Sequence, residues 1–340
     1  MTGDKRRSTA PTGKSGTEAK SPKVHTNDRR GSLVKVVVST DQGKWISPAK
    51  DSIHSISSDA AFPSIDFTIE TTAPPPYRWS WTVKWDAKVS GLKESPRRGK
   101  KLKTFVESGR LESDSKSWTA TPGKIVGGTL TIEVFAGAEK FRRSVTIKGT
   151  NPDATTLDSH VKTLPNTAGF DKILEQETKK RHFIDADGQP IVAFDGGYGM
   201  TQLTRPAPTF EQAWDWKANV KVGAALYQRK QQEAKKYLGQ SKRTYTEDQL
   251  KLETWSRWNG GGYHTWNAND QVWIRNETML CDSQTGNIGW DTRVDANKSK
   301  SESELHERDS ETYKKPKERK PEEHPWQYTG ICYADHLNDH

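Results

Sequence analysis

A chain of 340 residues has room for two ordinary domains. Only 31% of it is hydrophobic and 29% is charged, with a mean hydropathy of −0.94, so segments outside any core are expected. The net charge of +9 favours anionic partners, yet no nucleic-acid-reading motif accompanies it, and no apolar run approaches the roughly 20 residues of a membrane span.

Residues 1–30 are rich in Lys, Arg, Ser, Thr and Gly and show no periodicity. They read as a disordered basic tail, without the apolar stretch of a Sec signal peptide. From 31 to 150 the pattern is that of strands. "SLVKVVV" is a β-branched run, and "FPSIDFTIE" sets Ile65, Phe67 and Ile69 on one face. "RWSWTVKW" sets Trp79, Trp81, Val83 and Trp85 against Ser80, Thr82 and Lys84. "TLTIEVFAG" and "RRSVTIKG" alternate in the same way. Period-2 runs between Gly, Pro and Ser turns predict an antiparallel, immunoglobulin-like β-sandwich. "GTNPDATT" (149–156) reads as the boundary to a second, α-rich domain over 156–290. A long helix is predicted after Pro208, opened by a Thr209/Gln212 capping box, and another after Thr246, with Gln249 completing the box. Residues 291–340 read as a charged excursion followed by a segment, "HPWQYTGICYADHL", that returns to the body. The fold class expected is therefore α+β and multidomain.

The chemistry concentrates in the second domain. In "GFDKILEQETKK", Phe170, Ile173, Leu174 and Glu177 fall on one helical stripe. A carboxyl group on a buried face resists ionisation, and a neutral acid near pH 7 is what protonation of a leaving oxygen requires. About twenty residues on comes "FDGGYGMTQLTRP" (194–206), whose glycines let another group approach the backbone and whose Asp195 is a second carboxylate. "DADGQ", with Asp185 and Asp187, hints at calcium but lacks the other ligands of a loop site and reads as a turn; no metal or cofactor is expected. Cys281 and Cys332 flank the charged insert, and both a bridge and two free thiols are open.

Three motifs in order then resemble the lysozyme-like superfamily, most nearly the soluble lytic transglycosylases and goose-type lysozymes, over residues ~160–270. They are Glu177-Thr178, Gly197-Tyr198-Gly199-Met200-Thr201-Gln202, and Trp258-Asn259-Gly260-Gly261; Asn219, Val220 and Gly223 look like the family's Asn-Ile-x-x-Gly helix. The resemblance implies a lysozyme-like lobe that binds peptidoglycan glycan strands, with Glu177 as the general acid at the MurNAc–GlcNAc bond. It implies that Asp195 serves as base or water-positioner in a muramidase and is dispensable in a transglycosylase. Tyr198, Gly199, Met200, Gln202, Trp258, Asn259 and Tyr263 would line the substrate groove, with the Gly-rich segment making room for a sugar N-acetyl group. Thr178, Thr201, Thr204 and Trp258 depart from the family's usual residues. A substrate outside the cytoplasm without a Sec signal points to delivery by another route. An antibacterial effector sent into a neighbour's periplasm, with an immunity protein and a secretion-system component as partners, fits this, and a phage-type endolysin is the alternative. A glycan-binding module that does not cut is the other functional class, with a protein that binds nucleic acid through its tails the least favoured.

Overall fold

The computed structural model describes residues 41–92, 98–313 and 325–339, so the basic tail and the "SLVKVVV" run lie outside the described residues. The fold is mixed α and β. The first half contributes β1 (Trp45–Ser47), β2 (Ile53–Ile56), β3 (Asp66–Ile69), β4 (Tyr77–Lys88), β5 (Lys101–Ser113), β6 (Ser117–Thr119), β7 (Gly128–Ala136) and β8 (Glu139–Gly149). They form a three-stranded sheet, β1-β3-β6, and a five-stranded sheet, β2-β8-β7-β4-β5. The alternation read from the sequence is the burial pattern: Ile65, Phe67, Ile69, Trp79, Val83, Leu130, Ile132, Val134, Val145 and Ile147 are all buried in one core between the sheets. One correction concerns strand direction. β2 joins the edge of the larger sheet parallel to β8, not antiparallel.

The second half begins with α1 (Ala154–Lys162), α2 (Phe170–Thr178), α3 (Phe210–Trp214), α4 (Trp216–Leu238) and α5 (Glu247–Trp258). Both predicted capping boxes are present, at Thr209/Gln212 and Thr246/Gln249. The single long helix expected after Pro208 is two. Asp215 leaves the helical conformation, and its carboxylate caps α4 by accepting from the Lys217 and Ala218 N–H groups (2.8 and 3.1 Å). Residues 191–195, "IVAFD", form one isolated bridge, Val192 to Tyr198, and Tyr198 then bridges to Leu203 within the Gly-rich segment.

Two short hairpins follow, β9 (His264–Asn267) with β10 (Val272–Arg275) and β11 (Met279–Cys281) with β12 (Ile288–Asp291). The charged excursion is corrected in part. Ser301 and Glu304 form a capping box that starts α6 (Glu302–Asp309), and Leu305 packs with Trp290 and Trp326. β13 (Trp326–Tyr328) adds to β12, and α7 (Gly330–Asp339) returns to the body. The Cys281–Cys332 pair is a disulfide that ties α7 to β11.

The two halves share a core. Phe183, Val192, Tyr198, Phe210, Ala213 and Trp214 belong to the same buried cluster as the sheet residues. The 149–156 stretch is accordingly a seam: Gly149 N–H donates to the Gly188 carbonyl (2.8 Å), and Asn151 accepts from the His182 and Phe183 N–H groups (2.8 Å each). A separate core lies beneath α2, built from Phe170, Ile173, Leu174, Met200, Trp216 and Tyr227 with residues of α7. No described helix is long and apolar enough to cross a membrane.

Candidate active site

Phe170, Ile173 and Leu174 are buried and set the roll of α2, which brings Glu177 to its last turn, half-buried. The next residue fixes the helix end. The buried Thr178 hydroxyl donates to the Met200 carbonyl (3.0 Å), so α2 is tied to the Gly-rich segment. Lys179 follows in the left-handed region (φ 53°) and stops the helix.

Two donors from distant parts of the chain converge on one oxygen of Glu177. The Trp258 indole N–H, at the end of α5, donates to Oε1 (3.1 Å), and so does the Tyr333 hydroxyl from α7 (2.8 Å). No described residue hydrogen-bonds Oε2. The pattern suits a neutral carboxylic acid, with its carbonyl oxygen held and its hydroxyl free to donate. Burial raises the Glu177 pKa, the two donors oppose that rise, and the charge of Asp195 adds to it. Tyr333 is itself driven well above the usual phenol range by burial, so it stays a donor.

Asp195 is exposed, and its Oδ1 accepts from the Gly197 N–H (3.2 Å), closing a turn. The glycines beyond it mostly make room for the protein itself. A Cβ on Gly197 would lie 2.7 Å from the Gln202 amide oxygen, and one on Gly199 (φ +68°) would lie 2.3 Å from the His182 ring. Only Gly196 (φ +93°) faces open space within this segment. The expectation that the segment as a whole opens for a sugar is therefore corrected: Gly197 and Gly199 are filled from inside.

What fills them is a buried polar network. His182 Nδ1 accepts from the Met200 N–H (3.1 Å) while Nε2 donates to the Ala213 carbonyl (2.9 Å). Burial drives its pKa down to about 4, so the ring is neutral. Asn219 on α4 accepts from Thr201 N–H (3.0 Å) and hydroxyl (2.8 Å) and donates to the Tyr198 and Gln212 carbonyls (3.0 Å each). Thr201 sits over Gly223, where any Cβ would meet it at 2.5 Å. These bonds leave the Gly-rich segment little freedom.

The other expected groove residues divide. Trp258 reaches Glu177, Asn259 ends α5 half-buried, and Gln202 (φ 49°) spends its amide on the Gly199 carbonyl (2.7 Å). Three are corrected from groove to core. Tyr198 packs edge-on against Trp85 and Phe105, Met200 is fully buried, and Tyr263 is buried with its hydroxyl on Asp335 (2.6 Å). Asp185 is taken by Arg181 (2.7 Å) and Asn151 (2.7 Å), and Asp187 caps its own turn at Gln189 N–H (2.9 Å).

Sequence reasoning missed Tyr333 and His182. Tyr333 directly follows Cys332, so the available signal was the bridge: joining Cys332 to the body brings its neighbour inward. His182 carried none, because a lone histidine in "KRHFID" does not announce a buried one. A cavity of about 530 Å³, apart from Glu177, lies on the outer face of the larger sheet, lined by Ser80, Thr82, Lys84, Asp86, Thr131 and Arg142 among others. Two of its charges are answered within the protein, Asp86 by Lys101 (2.8 Å) and Arg142 by Glu133. Comparison with protein-family models, curated proteins and solved structures finds no match.

Proposed function

We propose that the chain is a peptidoglycan-cleaving glycosidase, a lytic transglycosylase or muramidase, with Glu177 as the general acid. One observation carries this reading: a carboxyl group with a raised pKa, held on one oxygen by Tyr333 and Trp258, with a second carboxylate nearby and its other oxygen unclaimed by any described residue. The motif order that resembles the lysozyme-like superfamily names the substrate class. In this reading residues ~160–270 are a lysozyme-like lobe on an immunoglobulin-like sandwich. Protonation of the glycosidic oxygen from Oε2 leaves a carboxylate that the same two donors stabilise. With one Asp195 oxygen engaged in its turn, a route in which Glu177 acts first as acid and then as base needs no other group. The Cys281–Cys332 disulfide supports action in an oxidising compartment, as expected for an effector delivered to a periplasm.

The test is mass spectrometry of soluble fragments from purified peptidoglycan, wild type beside Glu177→Gln. The variant is expected to fold and to lose about 10²–10⁴-fold in rate. Anhydro-muropeptides would mark a transglycosylase; reducing ends would mark a muramidase and make Asp195→Asn the next variant. Because burial raises the Glu177 pKa, activity is expected to persist above the ordinary carboxylate range and to fall as pH rises through the raised value. Wild-type binding to the wall with no fragments released would replace this reading with that of a glycan-binding module.

A further inference from the structure

The acid's tyrosine partner stands on a short helix held at its start by a covalent bond. Cys332 and Tyr333 are consecutive, and the disulfide to Cys281 spans 51 residues of sequence. A helix of ten residues has little stability of its own. Cys332 is buried against Gly289, where a Cβ would lie 2.6 Å from its sulfur, so a larger residue there would displace it. One turn on, Asp335 receives Arg275 through two nitrogens (3.0 and 2.6 Å) and the Tyr263 hydroxyl (2.6 Å). The same Arg275 lies 3.1 Å from the Cys281 sulfur. Bridge, acid partner and ion pair thus lie within about one turn of one helix.

We propose that the Cys281–Cys332 disulfide is a positioning clamp for the acid: closed, it seats Tyr333 on Glu177, and opened, it frees α7 and withdraws that bond. The chemistry is ordinary exchange. A dithiol gives two electrons and two protons, the S–S bond breaks into two cysteine thiols, and the dithiol closes to its own disulfide. In functional terms the proposal rests on Glu177 being the reacting acid. The groups facing Glu177 are then Tyr333 from α7, Trp258 from α5 and Asp195 from the Gly-rich segment, and the first is the one next to the bridge in sequence.

The experiment compares wild type with Tyr333→Phe, each oxidised and after dithiothreitol, with free thiols counted by alkylation and mass. Two readouts are taken: release of soluble peptidoglycan fragments, and the ¹⁵N indole resonance of Trp258, assigned with Trp258→Phe. In wild type, reduction is expected to slow release about tenfold or more and to move the resonance. In Tyr333→Phe, already slow when oxidised, reduction is expected to change neither further, since two perturbations of one link do not add. Equal effects of reduction in both proteins would overturn the clamp, as would no effect in wild type with both thiols free. Loss of the circular dichroism spectrum on reduction would also overturn it, the bridge then being a staple for the whole fold. If no form releases fragments, the functional reading fails on its own, and the Trp258 resonance alone decides the clamp.

Discussion

At the scale of single residues, two titratable groups behave in opposite ways for one reason, burial. Glu177 is pushed toward its neutral, protonated form, while His182 is pushed toward its neutral, deprotonated form. Neither ring nitrogen of His182 can take an added proton without losing a bond, because Nδ1 already accepts from the Met200 N–H. The sign for stability follows. The unfolded chain binds a proton near 6.5 and the folded chain only near 4, so His182's contribution is complete above the first value and drains away as pH falls to the second. The loss amounts to about 3 kcal/mol. Urea unfolding of wild type between pH 7 and 4 is expected to show it. His182→Gln is expected to be less stable at pH 7 but to lack most of that slope. Glu177 could be read from its helical stripe because three apolar neighbours fixed its face. Its tyrosine partner could not: a hydrogen bond between residues 156 positions apart leaves no local trace.

At the scale of elements, local patterns were legible where they repeat or cap. The period-2 faces of β4, β7 and β8 and the capping boxes of α3 and α5 stand in the structure as the residues imply. The hairpins β9–β12 were not seen, because strands of three or four residues carry too few alternations to show a period. α6 was obscured by its charge, since one buried leucine and one capping box hold a helix that is otherwise polar. The break between α3 and α4 had a signal in Asp215, an N-cap residue set inside an apolar helical pattern. Asp215→Ala removes the acceptor for two orphan N–H groups of α4, and a loss of about 1–2 kcal/mol is expected in chemical denaturation. Asp215→Ser, which keeps an acceptor, is expected to recover most of it. Asn219, one turn into α4, holds the Gly-rich segment, so the cap steadies the site as well as the helix.

At the scale of the whole molecule, the seam between the halves is aromatic. Trp214 stacks edge-on with Trp85, Phe210 lies on Phe105, and Phe183 presses on Gly149. The sequence reads 149–156 as a domain boundary because Gly149, Asn151, Pro152 and Asp153 cluster there; here Gly149 is small so that a ring can rest on the strand. A Cβ at that position would sit 2.1 Å from the Phe183 ring. Gly149→Ala is expected to destabilise the protein by about 1–3 kcal/mol while leaving one cooperative transition, followed by far-ultraviolet dichroism and tryptophan fluorescence together. Two separated transitions would show that the halves fold apart. The wide reach of the Glu177 contacts also has a consequence in time. Ribosomes add about 5–20 residues each second, so Glu177 is made roughly eight to thirty seconds before the tyrosine that bonds it, 156 residues later. Through that interval the growing chain carries Glu177 without its partner. A transcript cut short anywhere ahead of Tyr333 would yield a polypeptide that never acquires it, so completeness of synthesis is written into the geometry of the site.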